Sequence, residues 1–295
     1  MKTKLYIIGN GFDIASKLNT SYWDFREYLL SKSTENYNEN CKIHFPIYKK
    51  GVLAPNDYQN AKLIVKMIDS ALKRQYGKRA DWKYFEDVLG KLEHKDLNKS
   101  VYPNTLTDVA IHIAFTKIEN YFRDWIIYST EKQPCEVVFD IKDDDALYLN
   151  FNYTLTLENT YEIPSHDICH IHGKIGDKTL VIGHKDYEER ICTTNLRRER
   201  QIQIVREMLI KDTEYSYYSN VSFFEKINTN IKTVISIGFS YSEVDMDYID
   251  KIIECIGKNS IWCIYNYKLT ESLWFKMRLR EHGFKGKIKF FRNIK

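Results

Sequence analysis

The chain has 295 residues, of which 43% are hydrophobic and 28% charged, proportions that exclude a disordered, collagen-like or wholly coiled-coil protein. Lys and Arg number 44 and Asp and Glu 40, a net charge of +4, far from the basic footprint of a dedicated nucleic-acid binder. Glycine is scarce, with 12 residues, and proline numbers 5, so long regular elements are expected.

Leu5-Tyr6-Ile7-Ile8 reads as a strand that runs directly into Gly9-Asn10-Gly11. That four-residue apolar run is shorter than a secretory signal requires, and no stretch approaches the ~20 apolar residues of a membrane span. Six cysteines lack any Cys-x-x-Cys pair, which fits a reduced, cytoplasmic setting. A helix is expected over 22–30 and an irregular stretch over 32–60. Helical spacing then runs from 61 to about 130, where Leu63, Ile64, Met67, Ile68 and Leu72 share a helical face and Ile111, Phe115, Ile118, Phe122 and Trp125 recur in steps of four, three, four and three. Thr105 offers an N-cap, with Asp108 three residues on.

After Pro134 strands and helices alternate. Strands are expected at 146–150, 168–171, 180–183, 233–237, 261–265 and 288–291, and helices at 195–208, 245–256 and 273–281. This alternation predicts an α/β protein with a Rossmann-like, doubly wound, mostly parallel sheet. Residues 1–30 and 134–295 form the nucleotide-binding core of this reading. Residues 31–133 form an inserted, mostly helical subdomain.

Four groups of residues stand at expected strand ends. Gly9-Asn10-Gly11-Phe12-Asp13 closes the first strand, where α/β sheets bind phosphates through backbone N–H groups and a helix dipole. Ile14 occupies the third position of G-x-G-x-x-G, and a structural turn is the alternative. Asp13 would repel a pyrophosphate and suits ribose hydroxyls or a helix cap better. Asn150-Phe151-Asn152-Tyr153-Thr154 places uncharged amides at the next end, able to hold a water or a sugar hydroxyl, or to cap a turn. Cys169-His170-Ile171-His172-Gly173 puts two histidines on one strand face, with His170 read as packed and His172 as a candidate base. No third ligand accompanies them, so no metal is expected. Gly238-Phe239-Ser240-Tyr241-Ser242 and Asn266 end the following strands, as a phosphate or ribose cradle or as helix caps. Parallel strands would bring all of these to one rim.

Gly9-Asn10-Gly11-Phe12-Asp13 with Leu18, Thr20, Tyr22 and Phe25 resembles the opening signature of the AbiH-type abortive-infection proteins of bacteria. Residues 150–154, Ile171-His172-Gly173 and Ile237-Gly238-Phe239-Ser240 with Asp245 are similar to that family's later blocks. The family implies a role in antiphage defence. More distantly, the same blocks resemble a sirtuin-like NAD-binding fold. Asp24-Phe25-Arg26, His172-Gly173, the Gly-x-Ser at 238–240 and the strand-end Asn266 match that fold's pattern. Asp13 and Thr154 depart from it.

That second resemblance implies Asn152 and His172 as a catalytic pair, with Gly9, Asn10, Gly11, Phe12, Asp13, Gly238, Ser240 and Asn266 around a dinucleotide. It makes NAD+ a substrate cleaved at the nicotinamide–ribose bond. A nucleotide-sensing, partner-binding defence protein without turnover is the alternative, and a nucleic-acid enzyme a weaker one. The basic 196–200 run with Arg206 is interleaved with Glu199 and Glu207 and reads as a solvated helical face. A phage-derived trigger or partner protein and self-association are partners consistent with this reading, and a membrane is not.

Overall fold

The computed structural model describes residues 1–34, 57–77, 82–96, 107–186, 196–265 and 271–292. In chain order the elements are β1 (Lys4–Ile8), α1 (Asn10–Ala15), α2 (Tyr22–Thr34), α3 (Asp57–Tyr76), α4 (Trp82–Leu89), α5 (Thr107–Thr116), α6 (Ile118–Lys132), β2 (Ala146–Asn150), α7 (Thr156–Asn159) and β3 (Ile168–His170). They continue with α8 (Leu196–Met208), α9 (Thr213–Ser219), α10 (Val221–Phe224), β4 (Thr233–Ile237), α11 (Met246–Cys255), β5 (Ile261–Tyr265), α12 (Ser272–Glu281) and β6 (Lys287–Phe291). No helix among the described residues is long and apolar enough to cross a membrane.

The six strands among the described residues join one parallel sheet in the order β3-β2-β1-β4-β5-β6, the order of a Rossmann-like α/β protein. A parallel sheet is covered on both faces, which is why its strands read as continuous apolar runs rather than alternating ones. Leu5, Ile7, Leu147, Leu149 and Val234 pack on one face with Tyr248, Ile249 and Ile252 of α11 and Phe275 and Leu279 of α12. Tyr6, Ile8, Tyr148 and Ile237 pack on the other with Phe12, Leu157 and Tyr161. β3 and β6 are the edges. β3 has only three residues, and β6 exposes Lys287 and Lys289.

The first expected strand and five of the six expected after Pro134 are present. The sixth, at 180–183, joins no sheet: the Val181 N–H donates to the His172 carbonyl, and His184 makes one isolated parallel bridge to Ile210. A short apolar run gives no sign of whether a neighbouring strand edge is free to receive it. The Thr105 cap lies outside the described residues.

The chain divides into two compact units, one of Met1–Thr20, Ile126–Val181 and Asp212–Lys295, the other of Ser21–Trp125 and Ile182–Lys211. The first contains the sheet. The second is helical, and its boundaries differ from the 31–133 insertion read from the sequence at both ends. Phe25 on α2 packs against Phe85, Phe122 and Trp125, which draws α2 into the helical unit. α8 packs on α5, and the Arg206 guanidinium donates to the Leu92 carbonyl at 3.1 Å, which draws in 182–211.

Candidate active site at the carboxyl edge of the sheet

Register levels the strand ends. Ile8 pairs with Asn150 and Ile237, and Asn150 pairs with His170. The segments leaving β1, β2, β3 and β4 therefore depart from one rim. Strand order reverses between β1 and β4, the switch point where open α/β sheets hold ligands.

At that switch point backbone packs on backbone. The Gly9 N–H donates to the Ile237 carbonyl at 3.0 Å and the Gly11 N–H to the Gly238 carbonyl at 3.0 Å. The Phe12 N–H donates to the Gly9 carbonyl at 2.9 Å. A Cβ on Gly11 would lie 2.7 Å from Gly238 Cα, and one on Gly238, whose φ is +67°, would lie 2.2 Å from the Phe12 nitrogen. These glycines are required because two chain segments meet where no side chain fits. Three N–H groups of the sequence-derived phosphate cradle thus serve main-chain carbonyls. Asn10 braces the loop beyond α1, its amide donating to the Thr20 carbonyl at 2.8 Å. The Phe12 ring is buried against Phe139 and Tyr161.

Asp13, in the first turns of α1, is 1% exposed. Its Oδ2 accepts from the Thr154 hydroxyl at 2.7 Å, and Thr154 Oγ1 lies 3.0 Å from Thr156 Oγ1. Its Oδ1 has no hydrogen-bond partner among the described residues. Burial raises the Asp13 carboxyl from 3.8 to about 6, and the Thr154, Thr156 and Asn152 side chains hold it from rising further. A buried acceptor with one oxygen unpartnered is an unusual arrangement in a native core. Thr154, a departure from the sirtuin-like pattern, is the residue that secures it.

Asn152 is buried and turned toward the β1 end. Its Nδ2 donates to the Gly9 carbonyl at 3.2 Å, and its own N–H donates to Asn150 Oδ1 at 3.0 Å in a side-chain-closed turn. His170 is held by Glu158 Oε1 at 2.9 Å on Nε2 and faces the Asn152 carbonyl at 3.2 Å on Nδ1. Glu158 also receives Lys174 Nζ at 3.4 Å. Burial would raise the Glu158 carboxyl, and the His170 hydrogen bond and charge bring it below its ordinary value. His170 is thus a positioned, satisfied side chain that supports the Asn152 loop.

β3 ends at His170, so strand alternation does not extend to His172 and the expected shared face of the two histidines is not formed. His172, 2% exposed, lies among the rings of Phe151, Tyr153 and Tyr248 at 5.3, 6.1 and 5.7 Å. Its Nε2 stands 3.3 Å from Asp245 Oδ1. Asp245 Oδ2 accepts from the Ser242 hydroxyl at 3.4 Å. The Asn152 side chain thus meets Gly9, whereas the His172 ring meets Asp245 and three aromatic rings.

Ser240 is half-buried on the same turn. Asn266 lies outside the described residues. Cys169, next to His170 on β3, has its thiol pushed up to about 12 by burial. No cluster of three or more His, Cys, Asp or Glu suited to a metal occurs among the described residues. The side chains of Leu196, Arg197 and Arg198 are not among those described. Glu199 on α8 is buried and accepts from Arg206 at 3.2 Å, so that part of the helix faces inward rather than into solvent.

The sequence reading gives Thr156 no role and takes Ser242 only as part of a cradle or as a helix cap. The i, i+2 spacing of Thr154 and Thr156 beside a strand end is a visible signal for the first. No local signal distinguishes Ser242 from an ordinary helix cap.

No curated protein and no solved structure matches the chain. A family model described as bacteriophage abortive infection AbiH matches residues 5–267, spanning the strand ends from Gly9 to Tyr265 that build this rim. The protein belongs to the AbiH family of bacteriophage abortive-infection proteins.

Proposed function

We propose that this abortive-infection protein is an effector that hydrolyses NAD+ at the nicotinamide–ribose bond. The observation that carries the reading is Asp13, a buried carboxyl whose second oxygen has no hydrogen-bond partner among the described residues, beside Asn152 at a strand end. Nicotinamide leaves as a neutral molecule while positive charge develops on the ribose ring. A carboxylate suits that charge and the ribose hydroxyls, and it suits a pyrophosphate poorly. Asn152, with Nδ2 committed to Gly9, offers its carbonyl oxygen to the attacking water or a ribose hydroxyl. His172 takes the proton that the water gives up as its oxygen bonds to the ribose carbon. Because the N–H groups of Gly9, Gly11 and Phe12 bind main-chain carbonyls, this turn is the floor of the site, and the pyrophosphate is held by other groups.

The same occupied N–H groups favour a second reading, a nucleotide-sensing module without turnover. Purified protein incubated with NAD+, with and without lysate of phage-infected cells, separates the two. The first reading expects nicotinamide release that falls at least about 100-fold in Asn152→Ala and His172→Ala. Nucleotide binding without release under either condition favours the sensor. Release that survives both substitutions removes these two residues from the chemistry.

A further inference from the structure

We infer that Thr154 is the positioning residue of Asp13: with Thr156 behind it, it forms a one-way chain of hydroxyl hydrogens that runs from Thr156 to Thr154 to the carboxylate. The inference rests on the reading of Asp13 as the carboxylate that meets positive charge on the ribose, and it adds two residues to which that reading gave no role. An ionised carboxylate only accepts hydrogen bonds, so the single hydrogen of the Thr154 hydroxyl points at Asp13 Oδ2, 2.7 Å away. Thr154 Oγ1 then has only lone pairs left for Thr156 Oγ1 at 3.0 Å, and the Thr156 hydroxyl must be the donor. Donors to the charged form of a carboxyl favour that form. A chain of donors polarised in one sense favours it more than its last member alone.

The three side chains come from different parts of the rim and are enclosed there. α1 brings Asp13, the segment leaving β2 brings Thr154, and α7 opens with Thr156. They are 1%, 1% and 5% exposed. Ser16, just past α1, is engaged with the Tyr161 hydroxyl at 3.0 Å. Burial pushes the Asp13 carboxyl up to about 6, and the Thr154 and Thr156 hydroxyls act against that rise. The ionisable groups that act with Asp13 from neighbouring elements are His170 and Cys135. His170 of β3 also opposes the rise, and Glu158 of α7 holds its Nε2 at 2.9 Å. Cys135, between α6 and β2, has its thiol raised by burial and then by the charge of Asp13. The threonine chain is thus the part of this environment that keeps a buried carboxyl charged through hydrogen bonds.

The test reads the carboxyl itself in the full chain. Carbon NMR of aspartate-labelled protein follows the Asp13 carboxyl against pH, assigned by the signal lost in Asp13→Asn. Wild type is expected to titrate at about 6. Thr154→Val keeps the shape and removes the hydroxyl, and its Asp13 midpoint is expected about one to two pH units higher. Thr154→Ser is expected to return the midpoint to the wild-type value. Thr156→Val leaves the Thr154 hydroxyl in place, is expected to raise the midpoint by less, and carries the test if Thr154→Val does not fold. In nicotinamide release the acid limb of kcat is expected to move with the carboxyl in each variant. A midpoint that does not rise in Thr154→Val or in Thr156→Val, or that Thr154→Ser does not restore, overturns the inference. Absence of nicotinamide release from wild type overturns the hydrolase reading alone, because the carboxyl is read without turnover.

Discussion

Asp13 binds its proton more tightly in the folded chain than in the unfolded one. The carboxyl belongs at 3.8 when exposed and is raised to about 6 in place because burial opposes charge. Between those values the folded state keeps a proton that the unfolded state has lost. Stability from this group is therefore full below the unfolded value and is lost as pH rises through about 6. Two pH units correspond to about 3 kcal/mol. Asp13→Asn keeps an acceptor for the Thr154 hydroxyl and removes the charge. In urea denaturation the variant is expected to exceed wild type by about 1–3 kcal/mol near pH 8, the gain shrinking toward pH 4. A gain independent of pH would falsify the buried-charge account. Under the hydrolase reading the same variant loses nicotinamide release, so the carboxylate costs stability where it supports chemistry.

The loop after β4 shows what an element can do when its glycine is in the right place. Gly238 combines a φ of +67° with main chain 2.2 Å from where a Cβ would stand, whereas Gly176 has a φ of +99° and nothing within 4 Å. Gly176→Ala is expected to cost about 1–2 kcal/mol, the conformational part alone. Gly238→Ala should cost more than about 3 kcal/mol, because Phe12 and Gly11 must also move. Equal costs in chemical denaturation would remove the close approach as the cause. The strands on either side of this turn were legible in sequence because Leu5-Tyr6-Ile7-Ile8 and Thr233-Val234-Ile235-Ser236-Ile237 are apolar runs bounded by glycine. What Gly9 and Gly11 do was not legible, since a glycine freed for a phosphate and one pressed against another backbone read alike. Nor was the pairing of His172 with Asp245, which depends on the loops after β3 and β4 meeting in space. The run at 180–183 carried the composition of a strand, yet it joins no sheet among the described residues.

At the scale of the whole molecule, the helical unit encloses a buried ion pair beside its aromatic packing. Lys211 is fully buried, and its Nζ lies 2.9 Å from Glu86 Oε1. Lys211→Met would leave a carboxylate in the core and should lower unfolding stability by about 3–5 kcal/mol. The double variant Lys211→Met, Glu86→Leu should recover part of that loss, and a double variant no more stable than the single one would show that the pair is not the cause. The sheet unit bears a different consequence, one of time. β1, the inner strand at the switch point, pairs with residues 146–150 and 233–237. During synthesis it has no partner until those segments leave the ribosome. At about 5–20 residues per second, the first wait is on the order of ten seconds. For that interval Leu5-Tyr6-Ile7-Ile8 is an unpaired apolar strand on a growing chain, a candidate site for chaperone capture before any of the rim residues can meet.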